Sequence, residues 1–279
     1  MKIARFTEGG RTRLGLVDGD DVIDIGSADP SLPTDLVHVL AQGTIGTLAG
    51  KAAGAARLPL SSVRLEAPLV ATPNFLAIGL NYAAHVVESG MEKPKMPVVF
   101  NKQVTCVTGP FDPVDVPTVA PTLVDYEGEL AVVIGKAGFR IPVADALSHV
   151  FGYACGLDMT RRDLQLAERS KQLPWDIGKD VEYSAPISAI VPAAKFGEPK
   201  KQKIEMRQNG VTKQNSDLSF MIWSVPEIIA HLSTLYHLRP GDVILSGTPA
   251  GVGPCKPGDV LEGTIEGAGS LKVTIGQPV

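Results

Sequence analysis

An α+β fold built mainly from short strands is predicted by three features of the 279-residue sequence. Its 29 glycines and 22 prolines are spread along the chain, where they punctuate many short elements and form no linker. Short apolar runs recur between these breaks, and several are apolar on both faces, as expected of strands buried on both sides. Amphipathic helical patterns are few. With 44% hydrophobic and 20% charged residues the composition is that of an ordinary globular protein, which excludes disorder and collagen.

Residues 2–26 read as a three-stranded meander, KIARF, TRLGLV and VIDI, turned at EGG and DGDD. A helix follows over 35–42, with Leu36, Val39 and Leu40 on one face, and an Ala/Gly-rich stretch then separates it from the rest. These observations predict a small β-rich N-terminal domain over 1–68 and a larger domain over 69–279. In the larger part the strands FLAIGLNY, ELAVVIG, GYACGLDM, KIEMRQNG, DVILSG and LKVTIG lengthen. Asn209-Gly210 signals a hairpin. Ser224 and Glu227 have capping-box spacing ahead of a helix over 225–237, with Pro226 in its first turn. His38, His231 and His237 lack ligand spacing and read as packing or surface residues.

The net charge of −4 gives no basic face for a phosphate backbone, so no nucleic-acid partner is expected. Cys106, Cys155 and Cys255 form no CxxC pair, which argues against a zinc site or a disulfide framework and for a reducing, cytoplasmic setting. The start has no apolar signal region and no long apolar stretch occurs, so neither export nor a membrane is expected.

Three stretches carry possible chemistry. In DYEGEL, at the mouth of an apolar strand, Glu127 and Glu129 are two apart and share a face if the strand includes both. Alone they would read as a solvent-exposed strand start with harmless acids. Asp158, ending another apolar strand, adds a third acid, and three carboxylates suit a hard ion, Mg²⁺ or Mn²⁺, with Ca²⁺ also compatible. Just downstream, Arg162 and Gln165 share a helix face, whereas Thr160 and Asp163 have an imperfect capping-box spacing and read as structural. In NYAAHVVE, a short helix would set His85 beside Glu88, the makeup of an oriented general base, although such a pair taken alone is more often an ordinary surface contact. In SGTPAGVG, backbone N–H groups with the Thr248 hydroxyl could hold a carboxylate, or form a plain turn. Lys179 is either a buried cation or a loop lysine.

Together and in order, G-L-N-Y-x-x-H-x-x-E, D-Y-E-G-E-L, G-L-D-M-T-R-R-D-L-Q, the lysine before S-A-P-I-S, and G-D-V-I-L-S-G-T-P-A-G-V-G resemble the fumarylacetoacetate hydrolase family from about residue 74 onward. The resemblance implies a mixed β-sandwich roll and a homodimer. It also implies metal ligation by Glu127, Glu129 and Asp158, a water-activating pair of His85 and Glu88 on a lid, and a Lys179 cation near a developing oxyanion. Arg162, Gln165 and Thr248 would contact substrate oxygens. LPWDIGK, SAPISAIVP and MIWSVPEIIAHLS look closest to the acylpyruvate and fumarylpyruvate hydrolase branch. Two positions depart from the pattern: Lys179 is followed by Asp180-Val181-Glu182, and Leu80 stands where some acylpyruvases have arginine. The expected reaction is hydrolytic carbon–carbon cleavage of a 2,4-dioxo acid to pyruvate and a carboxylic acid. The same metal and enolate chemistry would serve oxaloacetate decarboxylation or isomerisation of a 2-oxo acid. A non-catalytic binding protein keeping the fold is the reading from a different class.

Overall fold

A computed structural model describes residues 1–116 and 124–278. The N-terminal meander forms as expected, with Lys2–Glu8, Arg11–Asp18 and Asp21–Ile23 pairing antiparallel in sequence order. Arg57–Pro59 and Arg64–Glu66 complete the two edges of this five-stranded sheet. The helix Leu36–Ala41 begins where Asp35 accepts from the Val37 N–H at 3.1 Å. The same carboxylate accepts from the Ala71 N–H at 2.9 Å and so ties the helix to the start of the larger part.

The centre of the molecule is a six-stranded sheet. Its order is Val191–Pro192, Val150–Leu157, Gly128–Ile134, Val243–Leu245, Phe75–Gly79, Val98–Asn101. All neighbours are antiparallel except Val243–Leu245 with Phe75–Gly79, which run parallel. Side chains alternate along a strand, so Gly128–Ile134 sends Leu130, Val132 and Ile134 to one face and Ala131 and Val133 to the other. On the first face lie the helix Val225–Leu235 and a second, five-stranded sheet. That sheet is ordered Val211–Asp217, Lys203–Gln208, Val260–Ile265, Gly269–Pro278, Val114–Val116 and contributes Ile204, Met206, Leu261 and Val273 to the core. On the second face pack Leu14, Leu16, Leu36 and Val39 of the N-terminal part. Burial on both sides explains why the central strands read as continuous apolar runs.

Local signals behave as their chemistry dictates. Asn209 (φ +53°) and Gly210 (φ +76°) take the left-handed pair of conformations that closes the Lys203–Gln208/Val211–Asp217 hairpin. The Glu227 carboxylate accepts from the Ser224 N–H at 2.8 Å at the start of the helix Val225–Leu235. All three cysteines are free thiols, and among the described residues no helix is long and apolar enough to cross a membrane.

Candidate active site

Glu127 stands in the break between the strands Val124–Tyr126 and Gly128–Ile134, so the expected single strand through both acids is interrupted at Glu127. The break costs nothing in proximity. Glu127, Glu129 and Asp158 each offer a carboxylate oxygen within 4.8 Å of the others, and all three are buried. Asp158 reaches them because Val150–Leu157 pairs with Gly128–Ile134 in a register that sets Leu157 opposite Gly128.

Lys179 is a buried cation. It ends the short helix Asp176–Lys179, and its Nζ donates to Glu127 Oε2 (2.8 Å), Asp158 Oδ2 (2.7 Å) and Thr160 Oγ1 (2.8 Å). The last contact corrects the capping-box reading of Thr160 and Asp163. The helix Arg162–Ser170 has Arg161 at its N-cap without a side-chain cap, and the Thr160 hydroxyl serves the lysine and donates to Asp158 O at 3.1 Å. Arg162 faces the same acids, with Nε on Asp125 Oδ2 at 2.7 Å, Nη2 on Glu127 Oε1 and Nη1 on Gln165 Oε1. Two participants escape the sequence reading. Asp125 anchors Arg162, and Lys102, fully buried, places its Nζ 2.8 Å from Asp158 Oδ1 and donates to the main-chain carbonyl of Lys179. A lysine directly after the apolar run VVFN was the available signal for Lys102.

The charges set the protonation states. Burial favours neutral Glu127, but Lys179 and Arg162 outweigh it and hold this carboxyl well below the usual range. Burial, reinforced by Asp158 and Glu127, pushes Glu129 well above that range. Burial would also neutralise Lys179, and Asp158 with Glu127 more than offset it, raising its pKa.

His85 and Glu88 lie on the helix Ala83–Glu88, with His85 Nδ1 2.9 Å from Glu88 Oε2. The other Glu88 oxygen accepts from the Gly251 N–H at 2.9 Å, which fastens this helix to the SGTPAGVG loop. Leu80, just before the helix, has φ +57°, a left-handed conformation uncommon for leucine and concentrated at functional sites in general. Asn81 holds the turn by accepting from Trp223 N at 2.8 Å and donating to Ser246 O at 2.7 Å.

In the SGTPAGVG loop the Gly247 N–H donates to Glu129 Oε2 at 2.6 Å. Gly247 has φ +98°, and a Cβ there would lie 2.5 Å from Asn81 Cβ, so the approach requires glycine. The Thr248 hydroxyl is already engaged, donating to Gly128 O (2.9 Å) and accepting from Gln214 Nε2 (2.8 Å). One pocket is lined by His85, Glu127, Glu129, Arg162, Gln165, Lys179 and Thr248 together, so the structure gathers all of these predicted residues. Glu88 joins it through His85, and Asp158 through Lys179. Leu80, Met91, Phe100 and Trp175 give the pocket an apolar wall, and Ser89 and Arg169 also line it.

Known proteins match along the whole length. A family model described as Fumarylacetoacetate (FAA) hydrolase C-terminal covers residues 74–276, and one described as Rv2993c-like, N-terminal covers 1–68. An oxaloacetate tautomerase of Bacillus subtilis is 37% identical over 305 residues, spanning 99% of this chain and 100% of its own. A fumarylpyruvate hydrolase of Ralstonia sp. is 51% identical over 54% of this chain and 78% of its own. The crystal structure of maleylpyruvate hydrolase from Sphingobium sp. SYK-6, in complex with manganese(II) ion and pyruvate, superimposes with a TM-score of 0.84 at 32% identity, covering 100% of both chains.

Proposed function

The chain belongs to the fumarylacetoacetate hydrolase family, and from this we propose that it is a divalent-metal-dependent enzyme that hydrolyses a 2,4-dioxo acid to pyruvate and a carboxylate. The observation that carries the hydrolytic reading is the buried His85 beside Glu88 in the pocket of the three acids. Glu127, Glu129 and Asp158 would hold the ion. The donor set is all oxygen, as Mg²⁺ and Mn²⁺ prefer, and the three buried acids each bring a carboxylate oxygen within 4.8 Å of the others. The related maleylpyruvate hydrolase with manganese and pyruvate supports the same choice. When bound, the ion would supply Lewis-acid polarisation of the 2-oxo acid's oxygens.

The chain's own residues account for the rest. With Nδ1 turned to Glu88, His85 keeps Nε2 to take a proton from water, and Glu88 fixes the orientation of the ring. The water oxygen bonds to the C4 carbonyl carbon, the C3–C4 bond breaks, and its electron pair stays with the pyruvate fragment, whose C3 takes up a proton. Lys179 and Arg162 offset the negative charge that develops on that fragment. A homodimer is part of the same proposal, and light scattering checks it.

A second reading, keto–enol tautomerisation of oxaloacetate, is favoured by the full-length likeness to the Bacillus enzyme. It needs a proton moved between carbon and oxygen but no water. The test is a panel of acetylpyruvate, fumarylpyruvate and oxaloacetate with Mn²⁺ or Mg²⁺, following pyruvate release and the decay of enol-oxaloacetate. Hydrolysis is expected to release pyruvate from the acylpyruvates, and His85→Ala to slow that release by about 10²- to 10⁴-fold. Rapid loss of enol-oxaloacetate with no pyruvate from either acylpyruvate would replace the hydrolase by the tautomerase.

A further inference from the structure

Arg169 is the cation of the pocket that the chemistry above leaves unused. It lies on the same helix face as Arg162 and Gln165, seven and four residues beyond them, about 10 Å further along the axis than Arg162. All three line the pocket. Their surroundings differ. Arg162 is held by Asp125 and Glu127, and Lys179 by Glu127 and Asp158. Among the described residues no carboxylate lies within ion-pair distance of the Arg169 guanidinium. Arg169 is half-buried, whereas Glu127, Glu129, Gln165 and Lys179 are buried, which sets Arg169 toward the mouth. Leu80, Met91 and Trp175 line the same pocket, and such walls accommodate carbon chain but offer no charge partner.

We propose that Arg169 receives the distal carboxylate of the substrate, so that the pocket selects dicarboxylic over monocarboxylic 2-oxo acids. The inference rests on the 2-oxo acid reading and narrows it. The 2-oxo acid end occupies the buried acids and cations, the short chain runs along the apolar wall, and the far carboxylate meets a guanidinium whose planar fork matches it. Arg169 is thus a specificity-determining residue, remote from the bonds that change.

Two 2-oxo acids of equal chain length that lack the 4-oxo group, 2-oxoglutarate and 2-oxopentanoate, test this by calorimetric binding to the Mn²⁺-loaded protein without turnover. The wild type is expected to bind 2-oxoglutarate about ten- to a hundredfold more tightly. Arg169→Met should erase the difference, and Arg169→Lys should restore part of it. In turnover, the ratio of kcat/KM for fumarylpyruvate over acetylpyruvate should fall by a similar factor in Arg169→Met, mainly through KM. Equal binding of the two acids by the wild type, or a preference that survives in Arg169→Met, overturns the assignment. Failure of both acids to bind overturns the 2-oxo acid reading with it, a result distinct from equal binding.

Discussion

Lys102 reaches Asp158 from the end of the strand Val98–Asn101 and also holds the main-chain carbonyl of Lys179, so one buried side chain fixes an acid and the backbone of the neighbouring cation. Around it, Glu129 is the acid with the least compensation, helped by the Lys179 charge and a single Gly247 N–H. Glu129→Ala relieves crowding among the acids, so the fold should persist by circular dichroism while Mn²⁺ affinity falls more than about a hundredfold by calorimetry, since even changes beyond the ligands cost ten- to a hundredfold. Unchanged affinity would remove Glu129 from the ion's shell. The proximity of Glu127, Glu129 and Asp158, and of His85 and Glu88, was legible because each depends on short spacing or on adjacent strands. Lys102 and Asp125 were not, because their partners lie far away in sequence and only the sheet order brings them together. Thr160 was misread for the same reason: a local capping pattern lost to a long-range bond from Lys179.

The N-terminal sheet carries an ion pair of its own. Arg13 Nε meets Asp24 at 2.9 and 2.8 Å and Nη2 meets it at 2.7 Å, with both side chains buried, while Asp24 also accepts from the Ser27 N–H at the start of the helix Ile25–Ala28. Asp24→Asn leaves the buried guanidinium with only the more exposed Glu8 carboxylate as a charge partner and should destabilise the protein by about 3 kcal/mol at pH 7 in denaturant unfolding. The pH dependence follows from the carboxyl. Burial works against its ionisation, but Arg13 and Ser27 outweigh that and hold it below its ordinary 3.8. The stabilisation is therefore complete above 3.8, the unfolded value, and is lost as pH falls through the lower folded value. The penalty of the variant should stay constant from neutrality to about pH 5 and shrink only in stronger acid. At this scale the meander, the Asn209-Gly210 hairpin and the Ser224/Glu227 helix start were readable, since turn and cap chemistry is local.

For the whole molecule, the central sheet is a middle layer with the N-terminal part on one side and the second sheet on the other. Apolar runs without alternation announced a doubly covered sheet, but not what covers it. The parallel pairing of Val243–Leu245 with Phe75–Gly79 joins distant segments and leaves no local trace. Removing residues 1–68 would expose Phe75, Ala77, Ala131, Val133 and Leu245, a face with no charge to keep it in water. The shortened chain should bind a hydrophobic dye and lose cooperative unfolding in a thermal scan. A sharp transition near that of the full chain would show that the larger part stands alone.

The bond from the Gly251 N–H to Glu88 joins a helix to a loop that are otherwise separate pieces of chain. Glu88 has its other oxygen on His85, so the helix is latched through the same carboxylate that orients the base. The protein thereby carries a clock for its own pocket: the Gly251 amide is shielded from solvent hydrogen only between partings of helix and loop. Its exchange counts those partings, and each one is also an interval in which His85 loses its neighbour's anchor.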